Sequence, residues 1–332
     1  MTYACQLRCT HCYTESGRRA TRKLPRAELL QIAETIVGMK VERVMLVGGE
    51  PLLVPELFEV IERLRAGHVP VSCFSNGIDL TDADARAFAE LGPTVHISLD
   101  GATAEVNDAI RKRAGAFDAT LASLRRLDAV AAERRAAGLP RLRYGLEVVL
   151  VRSNFHQISQ ICTELLPSLR ELSFVSFGAV IPIGLASEER FGQELLTDAQ
   201  IAVLGDPAFI RALKELLPPH IEDFSIFDNQ ELQVHTRYST LSNNYRYLME
   251  IEPDGEVRGF AACEGTIGNI LRESPELLWE RCRARVSDPA IVDRLSAVRT
   301  AREWAAAVRA IDRQFAGPEA LVRLNRRGGG AS

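Results

Sequence analysis

The sequence predicts an α/β fold: a partial, TIM-like (β/α)6 barrel followed by a small C-terminal hairpin-plus-helix region. Three observations predict it. Apolar, β-branched runs alternate with amphipathic helical stretches through the first half of the chain. Those runs are almost continuously apolar, as strands covered by helices in a parallel sheet are. And 332 residues, 46 % of them hydrophobic, suffice for one large α/β domain plus an appendage.

The elements follow in order. Residues 1–4 read as a short first strand. "VERVMLVGG" (41–49) reads as a buried strand, and "PELFEVIERLRAG" (55–67) as the helix after it. "VPVSCFSNG" (69–77) and "DADARAFAELG" (82–92) repeat the pair, as do "TVHISLDG" (94–101) and a long Ala/Arg/Leu helix around 116–138. "LRYGLEVVLV" (142–151), "FHQISQICTELLP" (155–167) and "LSFVSFGAVIP" (172–182) complete the alternation near residue 185. The barrel is therefore assigned to 1–185 and a mixed connecting region to 186–247. The latter holds Pro218-Pro219 and the polar run "STLSNNYRY" (239–247). "LMEIEPDGEVRGF" (248–260) reads as a hairpin turning at Pro253-Asp254-Gly255, and opens a C-terminal region, 248–332, that is helical from about 274. The closing "RRGGGAS" predicts a disordered tail.

The bulk numbers exclude several functions. A net charge of −4 argues against binding nucleic acid or an anionic membrane. No apolar run approaches the roughly 18 residues of a spanning helix. Gln6, Arg8 and His11 stand where a signal peptide would be apolar. Seven cysteines, an odd count in a long chain, do not suggest a secreted disulfide scaffold. The expectation is a cytoplasmic protein with reduced thiols.

Three of those cysteines are crowded into "CQLRCTHCY" (5–13), at the spacing C-x3-C-x2-C. Thiolates bind soft metals and iron–sulfur clusters. A zinc site would want a fourth ligand, and His11, lying between Cys9 and Cys12, is not at a separate zinc spacing. A cubane held by three thiolates instead leaves one iron open to an exogenous ligand. "GGEP" (48–51), "SNG" (75–77) and "SLDG" (98–101) then end successive strands. Each also has a plain reading: Pro51 opens a helix, and Asn-Gly and Asp-Gly form turns. Yet active sites of β/α barrels lie at strand C-termini.

With these residues in this order, the chain resembles the radical S-adenosylmethionine (radical SAM) superfamily. The resemblance implies one 4Fe-4S cluster on Cys5, Cys9 and Cys12, with the aromatic Tyr13 following. S-adenosylmethionine would chelate the fourth iron and, on one-electron reduction, yield a 5′-deoxyadenosyl radical that abstracts a substrate hydrogen. Gly48 and Gly49 would let backbone approach the cofactor, and Glu50 would accept from its ammonium. Ser75, Asn76, Ser98 and Asp100 would face its methionine and ribose parts. Glu147 is a candidate cofactor or substrate contact. It shares side-chain parity with Arg143, which could be its ion-pair partner. "NDAIRKRAGAFDATLASLRRL" (107–127) is similar to a stretch in peptide-modifying relatives, but Asn107 replaces their His and Lys112 their Gly. Arg111 there reads equally as a surface residue or a substrate contact. Cys73 and Cys162 read as core, His68 and His220 as surface or turn residues.

"IEPDGEVRGFAACEGTIGNI" (251–270) resembles the start of a SPASM or twitch domain, whose cysteines hold auxiliary clusters in relatives. Only Cys263 and Cys282 remain after residue 162, so no auxiliary cluster, or at most an atypical one, is expected. The hairpin is expected to act as a lid. Cys263 is either a small packing residue or a donor of a hydrogen atom to a substrate radical. "HTRYSTLSNNYRY" (235–247) could bind a polar or anionic substrate or line a solvated connection.

The resemblance is strongest to maturases that crosslink or epimerise ribosomally made peptides. An epimerase or dehydrogenase of a small molecule such as an amino sugar, and a non-catalytic metal scaffold, are the alternatives. Expected partners are a peptide or small-molecule substrate and a one-electron reductant such as a flavodoxin or ferredoxin. No N-terminal peptide-recognition domain is seen, so a leader peptide would need a separate leader-peptide-binding protein or the C-terminal region. An apolar strand just upstream of Met1 would suit the fold better.

Overall fold

The computed structural model describes residues 1–229, 248–259 and 264–328. Six strands form one sheet: β1 (Val44–Leu46), β2 (Val71–Ser75), β3 (Thr94–Ser98), β4 (Tyr144–Leu150), β5 (Phe174–Ala179) and β6 (Asp223–Phe227). They pair in sequence order and every pair is parallel. Parallel neighbours need crossovers, and the helices supply them. These are α1 (Arg26–Met39) ahead of β1, then α2 (Leu57–Ala66) and α3 (Asp82–Leu91). Next come α4 (Ala104–Arg111), α5 (Ala116–Ala136) and α6 (Ile158–Gln160), which continues as a π-turn over Ile161–Leu165. α7 (Asp198–Leu204) and α8 (Pro207–Leu216) lead into β6. Local chemistry sets the helix ends. Thr81 accepts from the Asp84 amide while the Asp84 carboxylate accepts from the Thr81 amide, so the start of α3 is capped in both directions.

Strand alternation gives the sheet two unlike faces. Cys73, Val95, Ile97, Leu146, Val148, Val175 and Phe177 turn toward the helices and are buried in one large core. Phe74, His96, Ser98, Glu147, Val149 and Ser176 turn the other way and are only partly covered. Register sets Ser98, Glu147, Ser176 and Ser225 side by side as a polar row on this open face. The partial barrel thus keeps one face for packing and one for contact with something else.

The barrel's extent differs from the sequence expectation. Residues 1–4 form no strand, although Thr2 and Ala4 carbonyls accept from Gly49 and Glu50 amides beside β1. The sixth strand is instead Asp223–Phe227, inside the stretch assigned to a connection, so the sheet does not end near 185. Cys73 and Cys162 are core residues as expected, and Cys282 joins them. His68 is exposed in a left-handed turn, φ 60°, as expected of a surface residue.

The C-terminal hairpin is present as β7 (Glu250–Ile251) and β8 (Glu256–Arg258), and β9 (Thr266–Asn269) adds a third antiparallel strand. α9 (Pro275–Val286), α10 (Pro289–Ser296), α11 (Ala301–Phe315) and α12 (Pro318–Gly328) follow. Val257, Leu278 and Cys282 belong to the barrel core, while Trp304, Val308 and Ile311 form a second core that reaches Ile181 and Ile183. α12 includes Arg326 and Arg327, and Arg327 is buried, so the expected tail is ordered through this point. Among the described residues no helix is long and apolar enough to cross a membrane.

Candidate active site

The cysteine loop is bound to the barrel through its backbone. Arg8 and Thr10 amides donate to the carbonyls of Arg111 and Ile110, at the end of α4, over 3.2 and 2.9 Å. Helix C-termini leave such carbonyls free to accept. Leu7 buries itself against Ile78 and Ala116, and Cys5 and Cys9 pack on this apolar cluster. Hydrogen-bonding groups approach each sulfur: the Leu7 amide donates at 3.4 Å and Asn76 Nδ2 at 3.7 Å to Cys5, Arg111 Nη1 donates at 3.9 Å to Cys9, and the Thr14 hydroxyl lies 3.5 Å from Cys12.

Burial pushes the Cys9 thiol up to about 12 and also raises that of Cys5, so neither is a ready free thiolate. Coordination to a metal would ionise them. Among the described residues, no three His, Cys, Asp or Glu side chains converge as on a single ion. Thiolates that each bind a different iron of a cubane need no such convergence. An apolar pocket with hydrogen-bonding groups at each sulfur fits a cluster better than a lone zinc.

The GGEP turn packs tightly on the N-terminal residues. A Cβ on Gly49 would stand 2.0 Å from the Ala4 carbonyl oxygen, and one on Gly48 (φ 149°) would stand 2.7 Å from that of Thr2. These glycines admit the chain's own backbone. Glu50 is fully buried and caps the turn Pro51–Leu53 by accepting from Leu52 at 3.1 Å. It also accepts from the Ser75 hydroxyl and the Asn76 amide, both at 2.8 Å. Burial pushes its carboxyl up to about 7 against those three hydrogen bonds. Ser75 is therefore committed to Glu50. Asn76 keeps Nδ2 toward Cys5 and Gln6, while its Oδ1 accepts from Ile78.

Asp100 is likewise committed. It is fully buried, 2.8 Å from His11 Nε2 and 2.7 Å from Arg111 Nε, and it accepts from the Val149 amide at 2.9 Å. Burial alone would raise its carboxyl, but Arg111 and then His11 outweigh it and hold it at about 2. Arg111 is accordingly no surface residue. Sequence reasoning weighed Arg111 only as a surface residue or a substrate contact and His11 only as a zinc ligand; it did not find that both meet Asp100. Asn107 supports the same corner by accepting from the Asp100 amide at 2.9 Å.

Ser98 and Glu147 stand opposite each other on the open sheet face. Glu147 pairs with His96 Nδ1 at 2.8 Å, and His96 stacks on Phe74 with ring centroids 4.1 Å apart. Arg143 is not its partner: it pairs with Asp223 and Glu222 near the other end of the sheet.

Tyr13 points out of the loop toward the C-terminal sheet, where its hydroxyl donates to Glu250 at 3.2 Å. The Tyr3 hydroxyl donates to Glu252 at 2.5 Å. Behind them Arg258 pairs with Glu252 and Glu264, and Arg323 and Arg327 join Glu264 to Glu15, three residues past Cys12. Cys263 and residues 235–247 lie outside the described residues.

Residues 1–134 match the sequence profile of the Radical SAM superfamily. This stretch, which holds the cysteine loop and β1 to β3, is similar to the radical SAM domain. Its superfamily uses a 4Fe-4S cluster and S-adenosylmethionine, in keeping with the cysteine spacing and the sulfur environment. Curated relatives match about half of the chain. Mycofactocin maturase MftC of Mycobacterium tuberculosis (strain CDC 1551 / Oshkosh) is 37 % identical over 164 residues, 49 % of this chain and 39 % of that protein. Pre-heme d1 synthase of Dinoroseobacter shibae is 33 % identical over 163 residues, 48 % of this chain and 38 % of that protein. The matches thus span about two-fifths of these relatives. In fold, the chain is similar to Streptococcus suis SuiB bound to its precursor peptide SuiA: TM-score 0.61 and 13 % identity, covering 90 % of this chain and 65 % of that one. That likeness extends beyond the radical SAM domain into the C-terminal region and concerns the fold alone.

Proposed function

We propose that the protein is a radical SAM enzyme that modifies a ribosomally made peptide, by crosslinking or epimerisation. The observation that carries it is the cysteine loop itself: Cys5 and Cys9 on an apolar cluster, each sulfur of the three within reach of a hydrogen-bonding group, and the loop tied to the end of α4 and to Asn76 just after β2. Cys5, Cys9 and Cys12 would hold the irons of one cluster, and S-adenosylmethionine bound there supplies the hydrogen-abstracting 5′-deoxyadenosyl radical. The protein's own part is to hold the loop and to offer contacts. Ser98 and Glu147 lie nearest that role, because Ser75, Asn76, Asp100 and Tyr13 already spend their polar atoms on the chain.

The peptide assignment draws support from MftC, named a maturase, and from SuiB, a fold neighbour seen with its precursor peptide. The polar row Ser98, Glu147, Ser176 and Ser225 offers a face long enough for an extended substrate. A flavodoxin or ferredoxin would deliver the electron, and a separate protein would bind a leader peptide. The match to pre-heme d1 synthase favours a second reading, a small-molecule substrate on the same face. Cys263 is proposed as a hydrogen-atom donor; full product from a Cys263→Ala variant that still makes 5′-deoxyadenosine excludes it.

Anaerobic reconstitution tests the whole reading. About four irons per chain and release of 5′-deoxyadenosine on reduction are expected, both lost in Cys9→Ala. About eight irons would point to further clusters, and a chain that binds no iron refutes the assignment. Deuterium moving from a labelled candidate peptide into 5′-deoxyadenosine separates the peptide from the small-molecule reading.

A further inference from the structure

Arg111 is the last residue of α4, and its side chain is 8 % exposed. Nη1 lies 3.9 Å from Cys9 Sγ and Nε lies 2.7 Å from Asp100 Oδ2. Nη2 is buried with no hydrogen-bond partner among the described residues. The Arg111 carbonyl accepts from the Arg8 amide and the Ile110 carbonyl from the Thr10 amide, bracketing Cys9. Guanidinium and thiol are thus held on segments fixed to each other. Such an arrangement is costly for a purely structural residue, because a buried cation with an unused donor loses hydration without replacement.

We propose that Arg111 and Asp100 form an opposed pair that sets the reduction potential of the cluster. The inference rests on the reading above that Cys5, Cys9 and Cys12 hold one. Reduction adds one negative charge beside the buried Arg111 and Asp100 pair. A guanidinium donating to the Cys9 sulfur stabilises that added charge and raises the potential. The Asp100 carboxylate, in contact with the same guanidinium, offsets part of the effect and lowers it. His11 holds Asp100 in place at 2.8 Å. The two residues therefore act on the potential with opposite signs, which a packing role alone does not produce.

The experiment is potentiometry followed by the electron paramagnetic resonance signal of the reduced cluster, on reconstituted protein whose iron has first been counted. Arg111→Gln should lower the potential, reducing the reduced-to-oxidised ratio at a fixed potential tenfold or more, about 59 mV for one electron. Asp100→Asn should shift it the other way, and Arg111→Lys should stay nearer the wild type. An Arg111→Gln protein with wild-type iron content and an unshifted potential overturns the proposal, as do two variants that move the same way. Loss of iron from both Arg111→Gln and Arg111→Lys would assign a structural role and also overturn it. Wild-type protein that holds no iron would instead refute the functional reading beneath it.

Discussion

The Tyr13 hydroxyl donates to the Glu250 carboxylate at 3.2 Å, joining the residue after Cys12 to a strand 237 positions away. With Tyr3 on Glu252, it makes the cysteine loop and the C-terminal sheet share one half-buried polar seam. Glu250 is half-buried, and its partial desolvation raises its carboxyl while Arg258 opposes the rise. Tyr13→Phe withdraws the donor and leaves that carboxyl short of a partner. The expected cost is about 1–3 kcal/mol in urea unfolding. A midpoint equal to wild type would mean the seam contributes nothing to stability.

Gly49→Ala tests why the GGEP glycines are there. The added methyl would overlap the Ala4 carbonyl oxygen and drive residues 1–5 away from β1. Overpacking of this kind costs about 1–3 kcal/mol. The variant should lose stability and hold less iron after reconstitution, because Cys5 follows directly on Ala4. If instead the glycine served only the cofactor, iron content would match wild type and only cofactor binding would fall.

Lys112 is the C-cap of α4 and has φ 55°, the left-handed region that a side chain disfavours. Lys112→Gly should therefore stabilise the protein, by about 1 kcal/mol. A thermal melt of the metal-free chain reads this without interference from the cluster.

Glu264 predicts a pH dependence. Burial would raise its carboxyl, but Arg258 and Arg323, with Arg327, outweigh it and hold it at about 2, below the ordinary 4.5. A lowered value in the folded state means the charged form stabilises the fold. That contribution is complete above pH 4.5 and is lost as the pH falls toward 2. The melting temperature of wild type should decline over this window. Glu264→Gln should start lower at pH 7, by about 3–5 kcal/mol for a broken buried pair, and decline less steeply. Parallel curves for the two proteins would contradict the assignment.

The amino-acid sequence by itself determined the α/β class, strands β1 to β5 within a few residues at each end, the C-terminal hairpin and the cysteine spacing. These are local quantities, carried by apolar periodicity, turn residues and the separation of like ligands along the chain. Only the tertiary structure decided β6, because "DFSIF" is short, lies in a polar context and becomes a strand by pairing with β5. It also decided what the polar residues touch. Glu147 and Arg143 share a face as their parity requires, but cross-strand register gives Glu147 to His96 and Arg143 to Asp223. Cys9, Asp100 and Arg111 meet because α4 ends against the cysteine loop, and Glu15 meets Arg327 because α12 returns to it. Side-chain parity is a property of one strand, whereas partners depend on how separate segments are brought together, and no local pattern encodes that.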